Sequence, residues 1–196
     1  VVWKPDYVTV GELGDYLGIA DSIDDVQLQV WVTAASRAVD RRCNRQFGKV
    51  AAPVTRTYRR RPAYDPASGL WLLEIDDVQD STGMTVNGVA LASAGATLLP
   101  DNAAADGVPW ERLGFEDYPT WTDPYAIVSP GWGWTAVPAQ TVGAVKLQGA
   151  RWNFRRKSPA GVAGSPDQGS EIRLLAKLDP DVATTLAGLS RRRRAA

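Results

Sequence analysis

Residues 24–44 read Asp24-Asp25-Val26-Gln27-Leu28-Gln29-Val30-Trp31-Val32-Thr33-Ala34-Ala35-Ser36-Arg37-Ala38-Val39-Asp40-Arg41-Arg42-Cys43-Asn44, and this stretch decides the fold. Leu28, Val32, Ala35, Val39 and Cys43 recur at i, i+4, i+7, i+11 and i+15, which is one stripe of an α-helix, with Trp31 and Ala38 on its flanks. Val26 and Val30 lie almost opposite that stripe. A helix with two apolar sides is sandwiched, either inside its own domain or between subunits. The pattern starts at Ser22 or Asp24 and runs to about Asn44, with Gly48 past the end.

Towards the N-terminus, Thr9-Val10-Gly11-Glu12 has the spacing of a capping box, and Leu13, Tyr16 and Leu17 follow at helical intervals up to Gly18. Beyond residue 50 the texture changes to short β-rich runs among prolines and glycines: Val54 to Tyr58, Leu70 to Ile75, Met84 to Val86, and Ala126 to Ser129. Asn87-Gly88, between Thr85-Val86 and Val89-Ala90-Leu91, is a two-residue hairpin signal. Residues 101–124 have no periodicity and read as a long loop. Helix resumes at Pro138 and continues to about Arg156. One of its sides carries Val142, Val145, Gly149 and Trp152; the other carries Gly143, Leu147, Ala150 and Phe154. Each glycine costs about 1 kcal/mol of helix propensity against alanine, a cost that close packing of another backbone would explain.

Residues 158–170, rich in Gly, Pro and Ser, read as a flexible loop, and Glu171 to Leu175 as a strand. Asp179-Pro180-Asp181 caps a short last helix with Val182, Leu186 and Leu189 on one face. The expected architecture is therefore α+β: a helical core of about four helices from both chain ends, with an inserted small antiparallel β-domain. Its parts are residues 1–50 (helical core), 51–135 (β-domain with long loop), 136–157 (core helix), 158–170 (loop) and 171–196 (strand, short helix and basic arm).

Composition narrows the function. The 196 residues include no histidine and one cysteine, Cys43. That removes the commonest general base and metal ligand, any intrachain disulfide, and a Cys–His nucleophile. Walker, Rossmann and GxSxG patterns are absent, so no enzyme is expected, and no cofactor or metal. No run is long enough to cross a bilayer, and no charged-then-apolar leader precedes the first helix. The 22 basic and 22 acidic side chains balance but are segregated. Arg59-Arg60-Arg61, Arg155-Arg156-Lys157 and Arg191 to Arg194 are basic runs, while acid gathers at Asp21, Asp24 and Asp25 and at Glu74, Asp76, Asp77 and Asp80. Neutral chains with segregated charge suit assembly through complementary patches. The acidic group at 74–80 does not have the spacing of a Ca²⁺ loop and reads as a solvated strand end.

Three stretches together resemble the head-to-tail connector (adaptor, or head-completion) family of tailed bacteriophages. The first is Tyr7 to Phe47, with Leu13-Gly14-Asp15-Tyr16-Leu17-Gly18-Ile19 and Ala34-Ala35-Ser36-Arg37-Ala38-Val39-Asp40-Arg41. The second is Gly131-Trp132-Gly133-Trp134 with Val137-Pro138. The third is Arg155-Arg156-Lys157-Ser158-Pro159-Ala160-Gly161, followed by a strand and Leu178-Asp179-Pro180-Asp181-Val182. The likeness covers roughly the first 48 and last 65 residues and rests on order and spacing. It implies a non-enzymatic virion protein of the neck, assembled in the host cytoplasm. Such a protein forms a ring, commonly of twelve copies, beneath the portal protein. The ring extends the channel for double-stranded DNA, which it contacts non-specifically, and offers a platform to the next neck or stopper protein; no membrane is involved.

By the same resemblance, Leu186, Leu189, Arg191, Arg192, Arg193 and Arg194 belong to a portal-binding arm. Val26, Val30, Arg37, Leu147, Phe154, Trp132 and Trp134 are candidate subunit-interface residues. Arg59, Arg60 and Arg61 are candidates to line the DNA channel, with a solvated loop as the plain alternative. The terminal arginines fit a solvated tail as well as an arm. Among the eight tryptophans, Trp31 and Trp152 read as core, while Trp132 and Trp134 fit core or interface. A DNA-binding module using the arginine runs is the second reading, and a carboxylate glycosidase stacking sugars on tryptophan a remote third.

Overall fold

The computed structural model describes residues 4–121, 124–157, 162–163, 172–173 and 178–191. The chain divides into two units, one built around Phe47–Ala136 and the other from Pro5–Gln46 together with Val137–Ala196.

The second unit is helical: α1 (Val10–Leu17), α2 (Asp25–Cys43), α3 (Ala139–Lys157) and α4 (Pro180–Thr185), the last followed by a 3-10 turn at Ala187–Leu189. α1 starts where the capping box puts it. The Glu12 N–H donates to the Thr9 hydroxyl at 3.2 Å, and the Thr9 N–H donates to the Glu12 carboxylate at 2.7 Å. These bonds from Thr9 hold the Glu12 carboxyl below its ordinary range. α2 stops at Asn44, whose left-handed backbone (φ 52°) returns its N–H to the Asp40 carbonyl. The stop thus comes from an asparagine cap, four residues before Gly48. Leu28, Val32, Ala35, Val39 and Cys43 are all fully buried, as their spacing requires. Each buried Leu or Val of this kind contributes about 1.5–3 kcal/mol. Ser36 shares the stripe; its hydroxyl donates to the Val32 carbonyl and accepts the Tyr7 N–H.

α3 turns Val145 and Gly149 inward. A Cβ on Gly149 would come within 3.2 Å of the Leu13 side chain, so this glycine lets α1 lie close. Gly143 is different: nothing stands within 4 Å of where its Cβ would be, and it faces outward. α4 is capped by Asp179, whose carboxylate accepts the Asp181 N–H at 2.9 Å; Val182 within it and Leu186 just after it are completely buried.

The other unit is wholly antiparallel. Its strands are β1 (Val54–Tyr58), β2 (Ala63–Asp65), β3 (Leu70–Asp80), β4 (Thr85–Val86), β5 (Val89–Ala90), β6 (Ala96–Leu99), β7 (Trp110–Phe115), β8 (Tyr125–Ser129) and β9 (Gly131–Trp132). One sheet runs β1-β8-β4-β5; the other runs β2-β3-β7-β6, with β9 also paired to β3. Asn87 and Gly88 both have positive φ (49° and 81°), the conformation that a two-residue turn between β4 and β5 demands. Both sheets feed one apolar core that includes Leu73, Ile75, Val86, Leu113, Phe115, Ile127 and Trp132. Side chains satisfy backbone groups of both β1 and β3: Trp132 donates its indole N–H to the Val54 carbonyl of β1 at 2.7 Å, and the Asp76 N–H of β3 donates to the Tyr58 hydroxyl at 3.0 Å.

The expected loop at 101–124 is corrected here, because β7 lies within it, between β3 and β6. Its burial does not alternate: Leu113, Gly114 and Phe115 are buried in succession, which erases the period-two signal. β3 likewise continues past Ile75 to Asp80, changing partner from β7 to β9 through a register shift. Within 158–177, β10 (Val162–Ala163) pairs antiparallel with β11 (Ile172–Arg173). The remainder of that expected loop and strand lies outside the described residues. Among the described residues no helix is long and apolar enough to cross a membrane.

Candidate assembly surfaces

The outward sides of the two long helices carry the site. Val26 is 84% exposed and Val30 51%, one turn apart on α2 and facing away from the buried stripe. Ile23 precedes them, also exposed. On α3, the expected second side is only partly outward: Phe154 is 58% exposed, Gly143 is exposed and Leu147 half-buried, but Ala150 is buried in the core and does not belong to an outer stripe. Trp31 of α2 and Trp152 of α3 meet at 6.1 Å between ring centroids and floor a groove with Ala34, Arg155 and Arg156. Arg156 reaches Asp24 at 3.4 Å.

Several expected interface residues prove internal. Trp132 and Trp134 are buried, so neither offers surface to a neighbour. Trp132 lies under the Arg56 guanidinium, 4.7 Å from its ring centroid. Trp134 packs on Phe47 at 5.2 Å and donates its indole N–H to the buried Asp77 carboxylate at 2.8 Å. The intervening Gly133 has φ +106°, and a Cβ there would collide with the Gly48 carbonyl. The Gly-Trp-Gly-Trp run is thus a device for threading two large rings into a core. Arg37 is half-buried and braces the segment before α1, donating to the Pro5 carbonyl and pairing with Asp40 at 3.3 Å. Its guanidinium also lies 5.7 Å from the Tyr7 ring centroid.

The expected arm is also shorter than the sequence implies. Leu186 is fully buried and Leu189 half-buried, and the Arg191 N–H donates to the Cys43 carbonyl at 2.8 Å. Residues 178–191 therefore belong to the helical unit, because their apolar face completes its core. Arg192, Arg193 and Arg194 lie outside the described residues.

Arg59, Arg60 and Arg61 are exposed, and Arg60 pairs with Glu74 at 3.6 Å. The acids of β3 are equally committed. Asp76 binds Arg56 at 2.6 Å, Asp77 takes the Trp134 indole, and Asp80 accepts the Thr82 N–H at 2.9 Å, a bond that lowers its carboxyl. Each of these acids is thus held by a different partner. Among the described residues no group of three or more such side chains is placed to hold a metal ion. Tyr58, half-buried beside Asp76, has its phenol pushed upward mainly by desolvation. Burial likewise raises the Cys43 thiol to about 11.

One surface had no counterpart in the sequence reading. In the β unit, a cleft opens between Ala92–Thr97 and Phe115–Trp121, with Glu116, Asp117, Tyr118 and Trp121 among its walls. The sequence signal was the acidic-aromatic run Phe115-Glu116-Asp117-Tyr118, which stayed hidden because residues 101–124 lacked periodicity. No protein-family model matches this chain, and comparison with curated proteins finds no significant match.

Proposed function

We propose that the chain is a structural head-to-tail connector of a tailed-phage neck. In this reading it forms a ring under the portal protein, continues the DNA channel, and presents a platform to the next neck protein. The role is assembly and not catalysis, and DNA passes without specific contacts. The observation that carries the reading is the pair of outward apolar patches: Val26 and Val30 on α2, and Gly143, Leu147 and Phe154 on α3. A closed ring of heterologous contacts needs two different patches on each subunit, and in this reading each of the two long helices supplies one. Val26 and Val30 on α2 and Phe154 on α3 are each more than half exposed, and apolar side chains grouped in this way mark a protein contact more often than scattered single residues do. The combination of helices from both chain ends with an inserted antiparallel β unit supports the same reading.

The test is to mix the purified chain with portal rings and image the product. A ring of copies seated on one face of the portal is expected. Absence of portal binding, together with a monomer at high protein concentration, would remove the proposal.

A further inference from the structure

The cleft of the β unit has a chemistry of its own. Glu116 and Asp117 are exposed and make no hydrogen bond or ion pair among the described residues. The aromatic walls are held from behind. Tyr118 packs edge-on against Trp71 at 4.9 Å, and Trp121 stands between Phe115 at 6.0 Å and Tyr125 at 6.4 Å. The opposite wall, Ala92–Thr97, consists of small side chains, which leaves room for an incoming chain. Unpaired carboxylates beside fixed aromatic faces are a site for guanidinium groups, which stack on rings and bind carboxylates through paired N–H donors.

The same chain carries the matching ligand. Arg191 to Arg194 is an uninterrupted run of four guanidinium groups. It departs from a fixed point, since the Arg191 N–H is bonded to the Cys43 carbonyl. We propose that the cleft receives the Arg192–Arg194 run of a second copy of the chain, with Arg191 as its anchor. This rests on the ring reading above and names a contact within it, one that straps each subunit to the next. Three residues beyond Arg191 extend at most about 10 Å. The neighbour's cleft must therefore open within roughly that reach, plus a side chain, of the anchored Arg191.

Two variants of the 196-residue chain test the contact: a tail variant, Arg192→Ser with Arg193→Ser and Arg194→Ser, and a cleft variant, Glu116→Lys with Asp117→Lys. Self-association is read by sedimentation in solution and by the number of copies bound per portal ring. Each variant alone should self-associate at least tenfold more weakly than the wild type. An equimolar mixture of the two should recover association but stop at pairs, because only one tail and one cleft remain usable. Wild-type behaviour of both variants, or a mixture that forms no pairs although each variant folds by circular dichroism, overturns the contact. An unchanged mass with portal binding lost in the tail variant overturns it too, and assigns the tail to the portal. If both variants form rings on portal as the wild type does, the strap is wrong and the connector reading stands. A wild type that neither associates nor binds portal removes both.

Discussion

The Gln148 side-chain carbonyl of α3 accepts the backbone N–H of Asp179 at 2.9 Å, in a position where Gln148 itself is fully buried. That bond joins the C-terminal helix to the core from the residue that also caps it. Asp179 meanwhile pairs with Arg151, one turn further along α3. One aspartate thus ends the incoming chain, starts α4 and ties both to α3.

Replacing Asp179 by alanine removes the cap and leaves the half-buried Arg151 without its carboxylate. Each loss costs on the order of 1 kcal/mol or more, so the variant should lose about 2–3 kcal/mol of unfolding free energy. Urea unfolding followed by far-UV circular dichroism measures this. Limited proteolysis should show faster cutting within residues 178–191, because α4 loses its seat before α2 and α3 melt.

Gly133→Ala should be far more damaging than its one-methyl change suggests. At φ +106° an L-residue is strained, and the new Cβ meets backbone that cannot rotate away, the carbonyl of Gly48. A loss above about 3 kcal/mol is expected, enough to make the β unit unfold at ambient temperature or fail to accumulate. Gly143→Ala is the control. Its Cβ would enter open space on a helix, and it should stabilise the helical unit by about 0.5–1 kcal/mol. Thermal midpoints of the two variants should move in opposite directions.

The contrast between those two glycines shows where sequence reading succeeds. Period and capping are local properties, so the stripe from Leu28 to Cys43, the Thr9–Glu12 box and the Asn87-Gly88 turn could be read from neighbours alone. The fate of Trp132 and Trp134 could not. Their burial follows from Gly131 and Gly133 letting the chain press against β3 and Gly48, a long-range approach that no window of adjacent residues contains. The same limit hid β7, whose three successive buried residues depend on lying between two other strands. It also made the segment after Lys177 look free, when Val182 and Leu186 find their partners in the core.

Cys43 gives a pH signature. Burial raises its thiol to about 11, above an ordinary value near 9.0, so the folded state holds the proton that the unfolded chain releases. Unfolded chains then bind fewer protons than folded ones between those values, and stability falls as pH rises through that window. The effect is on the order of 2 kcal/mol by pH 11. Tyr58 adds to the decline in the same direction. Cys43→Ala should lower stability at pH 7 by leaving a small void, yet show a shallower fall between pH 9 and 11 than the wild type. In the native state the thiol should resist modification at pH 8 until denaturant is added.

Val26→Glu with Val30→Glu separates core from interface on α2. Both side chains are largely in solvent, so unfolding free energy should stay within about 0.5 kcal/mol of the wild type. A carboxylate at either position would be stranded in an apolar contact between copies, at a cost of several kcal/mol if desolvated without a partner. Assembly on portal should therefore fail while the isolated chain remains folded. The matching change on the other helix, Phe154→Glu, should do the same for its own face. A mixture of the two variants then distinguishes the arrangements. If the α2 face of one copy meets the α3 face of the next, each variant keeps one sound face, and the mixture forms pairs that cannot grow. If each face meets its own like, mixed pairs do not form, and every oligomer seen is made of one variant only.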